Sequence, residues 1–313
     1  MGAKKGRRRF LKYFFSLSAF SAGYLLSFRG NTGSKVGGSA ILRTIQNKAN
    51  AATGSGRGLG YSGSSKIDMF THVVPKSYEN AIQKISPVMP MLSDLDQRFK
   101  RMDQLGEMLQ VMTLGQPPIE DIADPVKAVD LAKTANDGMA ELVAKYPDRF
   151  VGATAALPMN NIDAALEELD RAIKDLHLTG IQIFTSINGK SLDSPEFMPL
   201  YEKMAQYDRP IWIHPLSNPN HPYYPAEQNS SNDFDNSIGW PHATSMAMMR
   251  IAGSGVLERY PNLKFITHHS GGTIPYLAKR IEFAPSGSET LSRPIIESLR
   301  LFYCDTGRVI HPT

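Results

Sequence analysis

Segments with strand-like composition alternate with helical segments along most of the chain, and this alternation limits the folds open to it. Seven short apolar runs have the composition of strands, and they begin at Lys66, Met108, Phe150, Gly180, Ile211, Phe265 and Leu301. Segments with helical spacing or helix-start signals lie at 94–105, 124–146, 161–176, 194–207, 242–259 and 274–283. Helices between consecutive strands predict right-handed βαβ units and a parallel sheet.

The number of strands predicts an α/β fold of the TIM type, a (β/α)8 barrel. Seven runs make one unit fewer than a complete barrel, so we expect either a barrel truncated after its seventh strand or a strand that the pattern missed. The alternative is a doubly wound open sheet, but no Gly-x-Gly-x-x-Gly sequence follows the first run. With 313 residues, of which 42% are hydrophobic, the chain is long enough to bury one large core.

Histidines stand at the ends of three of the strand-like runs. The first run leads to His72, the run 211–214 ends at His214, and the run 265–268 ends at His268, which is followed by His269 and a Ser-Gly-Gly turn. The carboxyl ends of barrel strands meet on one face, so we expect His72, His214 and His269 to share a pocket. Because side chains alternate along a strand, His268 is expected to face the other way and to be structural.

The first 65 residues have a different character from the rest. The sequence Arg-Arg-x-Phe-Leu-Lys at 7–12 precedes a mostly apolar run at 13–28 and then small residues. This order resembles a bacterial twin-arginine signal, so residues 1–52 are predicted to direct export to the periplasm, with membrane contact only through the signal. A basic surface tail or an uncleaved anchor is the alternative. Residues 53–65 are Gly/Ser-rich and predict a linker, and 66–313 form the barrel domain.

Charge and cysteine content exclude some classes of function. The net charge of +4 comes from the leader, because no residue before Asp68 is acidic while twelve are Lys or Arg. From Asp68 onward, 22 basic residues stand against 30 acidic ones, which argues against nucleic-acid binding by charge. The single cysteine, Cys304, excludes an internal disulfide and a thiolate metal cluster. No basic partner is evident for it, so we interpret it as a strand residue and not as a nucleophile.

Several motifs occur in an order typical of one enzyme family. They are Ile-Asp-Met-Phe-Thr-His at 67–72, Gly-Ile-Gln-Ile at 180–183, Asn-Gly-Lys-Ser-Leu-Asp-Ser-Pro-Glu-Phe at 188–197, Ile-His-Pro at 213–215, Gly-Trp-Pro at 239–241 and Ile-Thr-His-His-Ser-Gly-Gly at 266–272. Together they resemble the amidohydrolase-related family of the metal-dependent amidohydrolase superfamily, and within it the proteins similar to aminocarboxymuconate-semialdehyde and resorcylate decarboxylases. The resemblance covers the chain from Lys66 to its end.

The resemblance implies a barrel with one divalent metal ion, zinc or manganese, and a homodimer. His72 matches the second histidine of the family's His-x-His, His214 matches a metal-binding histidine, and His269 matches the histidine that serves as catalytic acid or base. Imidazole nitrogen suits these roles, because it binds transition metals and moves protons near pH 7. Phe70 and Trp240 are the candidate substrate-contacting residues, although Trp240 could instead plug the barrel rim.

Two features depart from the family pattern. Phe70 stands where the family has the first histidine of His-x-His, and a phenyl ring cannot bind a metal. The family's aspartate ligand at the end of the eighth strand has no counterpart, and Asp305 resembles a position that precedes it. Two matched ligands are fewer than the three protein ligands of a catalytic zinc site.

Three hypotheses about function follow. The first is a metal-dependent carbon–carbon lyase that decarboxylates a small unsaturated or aromatic carboxylic acid, with His269 assisting proton transfer. The second is a metal-dependent hydrolase of a lactone or an amide with the same architecture. The third is a degenerate barrel that binds no metal, which Phe70 and the unmatched aspartate favour.

Overall fold

The computed structural model describes residues 66–106, 108–216, 234–283 and 291–306. The predicted export signal at 1–52, the linker at 53–65 and most of the long polar segment 216–239 lie outside these residues, so their interpretation stays a prediction. Within the described ranges, every helix is too short or too polar to cross a membrane.

Seven parallel strands form the main sheet, as the strand count predicted. They are β1 Lys66–His72, β2 Met108–Thr113, β3 Phe150–Ala155, β4 Gly180–Phe184, β7 Ile211–His214, β8 Phe265–Thr267 and β9 Tyr303–Cys304. Neighbours in the sheet follow chain order, β1-β2-β3-β4-β7-β8-β9, and every pair is parallel. A separate antiparallel hairpin, β5 Ser186–Ile187 and β6 Lys190–Ser191, follows β4.

The sheet curls as a barrel does. Trp212 on β7 donates a hydrogen bond from Nε1 to the carbonyl of Met69 on β1, at 2.7 Å. These strands are four positions apart in the sheet, which would separate them by about 19 Å if the sheet were flat. The inside of the curl holds one apolar cluster, Met69, Phe70, Leu109, Val111, Val151, Trp212 and Ile266. The barrel-type architecture is therefore confirmed over the seven strands.

Helices cover the outer face of the sheet and bury the larger core. Their bounds are α1 Lys76–Ile82, α2 Pro90–Ser93, α3 Leu95–Gln104, α4 Ile119–Ile122, α5 Pro125–Lys145, α6 Ile162–Lys174, α7 Met198–Tyr207, α8 Trp240–Gly253, α9 Val256–Arg259, α10 Ile274–Phe283 and α11 Ile295–Leu299. Asp124 caps α5 by accepting hydrogen bonds from two backbone N–H groups, and Asn161 caps α6 by accepting one, from Ala164. Short 3-10 turns lie at Pro195–Phe197 and His269–Gly271, and a π-helical turn lies at Asp235–Gly239.

Some elements differ from the sequence prediction. The predicted helix 242–259 is two helices, because Gly255 adopts a left-handed conformation (φ +80°) between α8 and α9. The predicted last strand, 301–305, keeps only two residues of regular pairing. The helices α1, α2, α4 and α11 were not predicted, since four to seven residues are too few to establish a helical period.

A buried polar contact fixes the end of β3 against two helices. Asn136 on α5 exchanges two hydrogen bonds with the backbone of Ala156, at 2.8 and 2.9 Å, and donates a third to Glu168 on α6, at 2.7 Å. Glu168 is only 2% exposed and is paired with Arg171. The contact holds the segment after β3, which lines the cleft described below.

Candidate metal centre

Three histidine side chains meet at the carboxyl ends of β1, β7 and β8. His72, His214 and His268 each offer a ring nitrogen, and these nitrogens all lie within 4.8 Å of one another. The Nε2 atoms of His72 and His214 are 3.1 Å apart. The ring of His268 lies 5.4 Å from that of His72 and 5.3 Å from that of His214, measured between centroids. His214 is buried, and the other two are half-buried.

Hydrogen bonds at Nδ1 direct the Nε2 lone pairs of two of these rings into the cluster. Nδ1 of His214 lies 2.6 Å from the carbonyl oxygen of Pro215, which can only accept, so this nitrogen carries the proton. Nδ1 of His72 lies 2.9 Å from the hydroxyl of Thr113, whose own hydrogen points to the carbonyl of Thr71 at 3.3 Å. Nδ1 of His72 is therefore also a donor, and Nε2 of each ring is an acceptor.

The two rings are neutral in the folded chain. Burial, together with the neighbouring histidines, lowers the pKa of His72 to about 3. The same causes hold the pKa of His214 well below its usual value. Two lone pairs that face each other at 3.1 Å repel, and a cation between them removes that repulsion.

The spacing of the nitrogens fits a divalent transition metal ion. Metal–imidazole bonds are about 2.1 Å long, which places two nitrogens of one tetrahedral or octahedral ion about 3.0–3.4 Å apart. The separation between His72 and His214 lies in that range. Two ligands of one ion can be at most about 4.2 Å apart, and the three ring nitrogens spread over up to 4.8 Å, so binding by His268 requires its ring to move closer to the other two.

The prediction that His268 faces away from the site is wrong. His269 and Ser270 have positive φ of +53° and +58°, so the strand alternation ends after His268. Up to that point the alternation holds, and Ile266, two residues before His268, lies in the apolar cluster inside the curl. His268 therefore points into the cluster, and His269 stacks on it with centroids 4.0 Å apart.

Asp305 holds His268 in place. One carboxylate oxygen contacts Nδ1 of His268, and the other accepts from the backbone N–H of Ser270 at 2.8 Å. A carboxylate on Nδ1 orients the ring and leaves Nε2 for a metal ion. The sequence placed Asp305 at the end of the last strand without assigning it this contact.

His269 and Trp240 form the side of the centre nearest to α8. Their rings are parallel within 5°, with centroids 5.2 Å apart, and His269 lies 6.2 Å from His214. Gly272 (φ +63°) allows this close approach, because a Cβ there would lie 2.4 Å from the carbonyl oxygen of Pro241. The predicted convergence of the strand-end histidines is confirmed by these distances, and the catalytic role of His269 stays a prediction.

Phe70 completes the ring cluster. Its phenyl ring stacks on the imidazole of His268, and its centroid lies 5.9 Å from His72 and 6.0 Å from His214. A bulge in β1 turns it inward. Asp68 stabilises that bulge by accepting hydrogen bonds from the N–H of Phe70 at 3.1 Å and from the hydroxyl of Thr71 at 2.5 Å. Contact of Phe70 or Trp240 with a substrate remains a prediction.

A narrow cleft with room for about one water-sized group, about 10 Å³, lies beside the histidines. Two of its lining residues also border the centre. The ring of Phe184 contacts the ring of His214, with centroids 5.5 Å apart. Gly115 lies next to the side chain of His72, because a Cβ built on this glycine would be in van der Waals contact with the Cβ of His72, at 3.7 Å. Sequence reasoning gave no role to the polar residues of this cleft, Gln182 and Glu120. Gln182 stands in the motif at 180–183, but a single polar residue in an apolar strand does not indicate any chemistry.

Comparison with known proteins places the chain in a family. The family model described as amidohydrolase matches residues 67–292. The 2-amino-3-carboxymuconate-6-semialdehyde decarboxylase of Dictyostelium discoideum is 30% identical over 247 residues, covering 70% of this chain and 66% of that protein. The gamma-resorcylate decarboxylase of a Rhizobium species (strain MTP-10005) is 37% identical over 203 residues, covering 61% of this chain and 60% of that protein. The chain thus matches about 60–66% of the length of these relatives.

Solved structures agree with this assignment. A dihydroxybenzoic acid decarboxylase from Polaromonas sp. JS666, solved with bound manganese and the inhibitor 2-nitroresorcinol, has a TM-score of 0.62 and 27% identity and covers 77% of each chain. An amidohydrolase structure from Staphylococcus aureus has a TM-score of 0.65 and 26% identity, covering 76% of this chain and 78% of that one. The region matched by the family model includes all three histidines and the strands that lead to them. The chain therefore belongs to the amidohydrolase family.

Proposed function

We propose that this chain is a metal-dependent carbon–carbon lyase that removes carbon dioxide from a small aromatic carboxylic acid. The observation that carries the proposal is the set of three converging imidazoles with His269 stacked beside it. The similarity to decarboxylases that act on resorcylate and dihydroxybenzoic acid supports the substrate class.

Each residue of the centre has a role in the proposed reaction. His72, His214 and His268 would hold a divalent ion, which supplies positive charge that binds and orients a carboxylate. Loss of carbon dioxide leaves an electron pair on the ring carbon, and a proton from an imidazole nitrogen of His269 fills that valence. Trp240 keeps the plane of His269 fixed by stacking, and with Phe70 it provides an apolar wall that limits access of water.

The proposed ion is zinc or manganese. Three imidazole ligands favour zinc, because manganese prefers oxygen ligands. The manganese bound in the Polaromonas relative supports manganese. Metal analysis of the chain after loading with each ion separately distinguishes the two.

Carbon dioxide release tests the proposal. The full chain, loaded with zinc or manganese, is incubated with a panel of mono- and dihydroxybenzoates and, in parallel, with aromatic lactones and amides. We expect carbon dioxide from at least one benzoate and none from His269→Gln, which keeps a similar size but cannot transfer the proton. Hydrolysis of a lactone or amide without carbon dioxide release would favour the hydrolase hypothesis. A chain that takes up less than about a tenth of an equivalent of either metal would favour the metal-free barrel, since a site that binds an ion should approach one equivalent.

We also propose export by the twin-arginine route to the periplasm, and assembly as a homodimer. The sequence Arg-Arg-x-Phe-Leu-Lys at 7–12 supports export. Replacement of Arg7, Arg8 and Arg9 by Lys should leave the chain in the cytoplasm of a bacterial host, whereas unchanged export would contradict the proposal. Light scattering of the purified chain tests the dimer.

A further inference from the structure

The cleft beside the histidines carries an acceptor atom that the protein leaves unused. Gln182 lies on β4, is 5% exposed and lines the cleft. Its Nε2 donates to the carbonyl of Leu114 at 2.6 Å. Because a carbonyl can only accept, this bond fixes the orientation of the amide, and Oε1 remains the acceptor. Oε1 is buried and has no hydrogen-bond partner among the described residues.

A buried acceptor without a partner is costly in a folded protein. Most such atoms are paired, so an unpaired one that lines a cleft is open to a partner from outside the chain. The partner that Oε1 lacks must be a donor, such as a hydroxyl group. A second carboxylate or an ether oxygen cannot supply the missing hydrogen.

The charge in the cleft selects against anions. Glu120 on α4 also lines the cleft, and within the described residues no Lys or Arg pairs with it. Burial raises the pKa of Glu120 to about 7, which reflects the poor solvation of its charged form. A substrate carboxylate is therefore disfavoured here and is favoured at the histidines, where a metal ion would sit.

The cleft and the histidines are adjacent, so one small molecule can occupy both. Phe184 and Gly115 border both regions. The cleft has room for about one water-sized group, about 10 Å³, so it suits a hydroxyl group and not a whole ring.

We propose that Gln182 Oε1 and Glu120 form a subsite that accepts a hydroxyl group on the aromatic ring of the substrate, at a position away from the carboxylate. The inference rests on the proposed function, because it takes the carboxylate to lie at the histidines. Gln182 determines specificity here and takes no part in proton transfer.

Binding of matched hydroxy and methoxy compounds tests the subsite. Calorimetry with the zinc-loaded chain compares 3- and 4-hydroxybenzoate with 3- and 4-methoxybenzoate, whose ether oxygens accept but cannot donate. We expect one hydroxybenzoate to bind about five- to tenfold more tightly than its methyl ether, the usual effect of one buried neutral hydrogen bond. Gln182→Leu should abolish this preference, and Met159→Leu, an apolar change in the same cleft, should keep it.

Several outcomes would overturn the subsite. They are equal binding of each hydroxy and methoxy pair by the unaltered chain, or a preference that persists in Gln182→Leu. If that variant does not fold, Gln182→Met, whose unbranched chain fits the same space, is held to the same criterion. Carbon dioxide release measured on the same samples separates the two proposals. Carbon dioxide release without a preference for the hydroxy compound rejects the subsite proposal alone. A preference for the hydroxy compound without carbon dioxide release rejects the decarboxylase proposal alone. Failure of all four compounds to bind also rejects the subsite proposal.

Discussion

The phenyl ring of Phe70 lies over the imidazole of His268, with centroids 4.1 Å apart and planes inclined by 17°. Phe70 stands where the family pattern has a histidine, so β1 lacks one possible metal ligand. Its phenyl ring instead packs against the imidazole of His268. His268 directly follows β8, and one of its ring nitrogens lies within 4.8 Å of those of His72 and His214. The stack explains how a metal centre can be retained without the His-x-His motif.

Replacing Phe70 should weaken metal binding by loosening His268. Phe70→Ala removes the stacked ring and leaves a cavity, so we expect about 3–5 kcal/mol lower stability and roughly tenfold weaker zinc binding. Zinc affinity is measured by competition with a chelator, and stability by urea unfolding of the metal-free chain. Phe283→Ala, a change at an exposed ring on α10, is the control and should alter neither quantity. Unchanged zinc affinity in Phe70→Ala would show that the stack does not position His268.

Loss of the Asp305 carboxylate should lower metal affinity about as much as loss of a metal ligand. Asp305→Asn keeps the size of the side chain but removes the charge that contacts Nδ1 of His268. Loss of such a partner typically lowers metal affinity by 10- to 100-fold, and we expect a loss in that range by chelator competition. Asp208→Asn, at an exposed ion pair with Lys264, is the matched control. Equal affinities for the two variants would contradict the role assigned to Asp305.

Much of the fold could be predicted from the sequence, because its strands are short apolar runs separated by helices with clear caps. The strands β4 and β7 were predicted with their observed bounds, and the predicted helix starts at 124 and 161 coincide with the residues that cap α5 and α6. The site could be predicted only in part. His72 and His214 stand at strand ends, where the topology alone brings them together.

That His268 and His269 both lie at the centre could not be predicted, since it depends on the left-handed backbone of His269 and Ser270. Non-glycine residues adopt that conformation rarely, so the alternation of a strand was the natural expectation. The role of Gln182 could not be predicted for a different reason. A single glutamine in an apolar strand carries no spacing signal, and only the packing around it shows that Oε1 has no partner among the described residues.

The stability of the metal-free chain should fall as the pH falls below about 6.5. The folded-state pKa of His72 is about 3, so between pH 6.5 and 3 the unfolded chain binds a proton that the folded chain does not. His214, whose pKa is also lowered, acts in the same direction. Each histidine should contribute up to about 1.4 kcal/mol per pH unit in this window.

Urea unfolding at pH 7, 6 and 5 in the presence of a chelator measures this dependence. His72→Asn lacks one of the two titrating groups and should show a shallower loss than the unaltered chain. Met246→Leu, a change at an exposed side chain on α8 that does not titrate, should not alter the slope. A slope that is the same in the unaltered chain and in His72→Asn would contradict the assignment of a neutral His72.

Removal of Asn136 should destabilise the fold without changing the metal centre. Asn136→Ala breaks three buried hydrogen bonds and leaves the backbone of Ala156 and one oxygen of Glu168 without this partner. We expect a loss of about 2–4 kcal/mol in urea unfolding, given 1–3 kcal/mol for each buried group left unpaired and some relaxation. Asn262→Ala, which removes one exposed hydrogen bond to Ala205, should cost less than about 1 kcal/mol. Equal losses would show that the buried contact is not the stronger one.

The most direct test of the account is the number of imidazoles on the bound metal ion. The full chain, His268→Gln and His269→Gln are loaded with zinc and compared by elemental analysis, chelator competition and X-ray absorption spectroscopy. The account predicts close to one equivalent of zinc with three imidazole ligands in the unaltered chain and in His269→Gln, and two imidazoles with markedly weaker binding in His268→Gln. Less than about a tenth of an equivalent in the unaltered chain, or a loss of zinc in His269→Gln but not in His268→Gln, would contradict it.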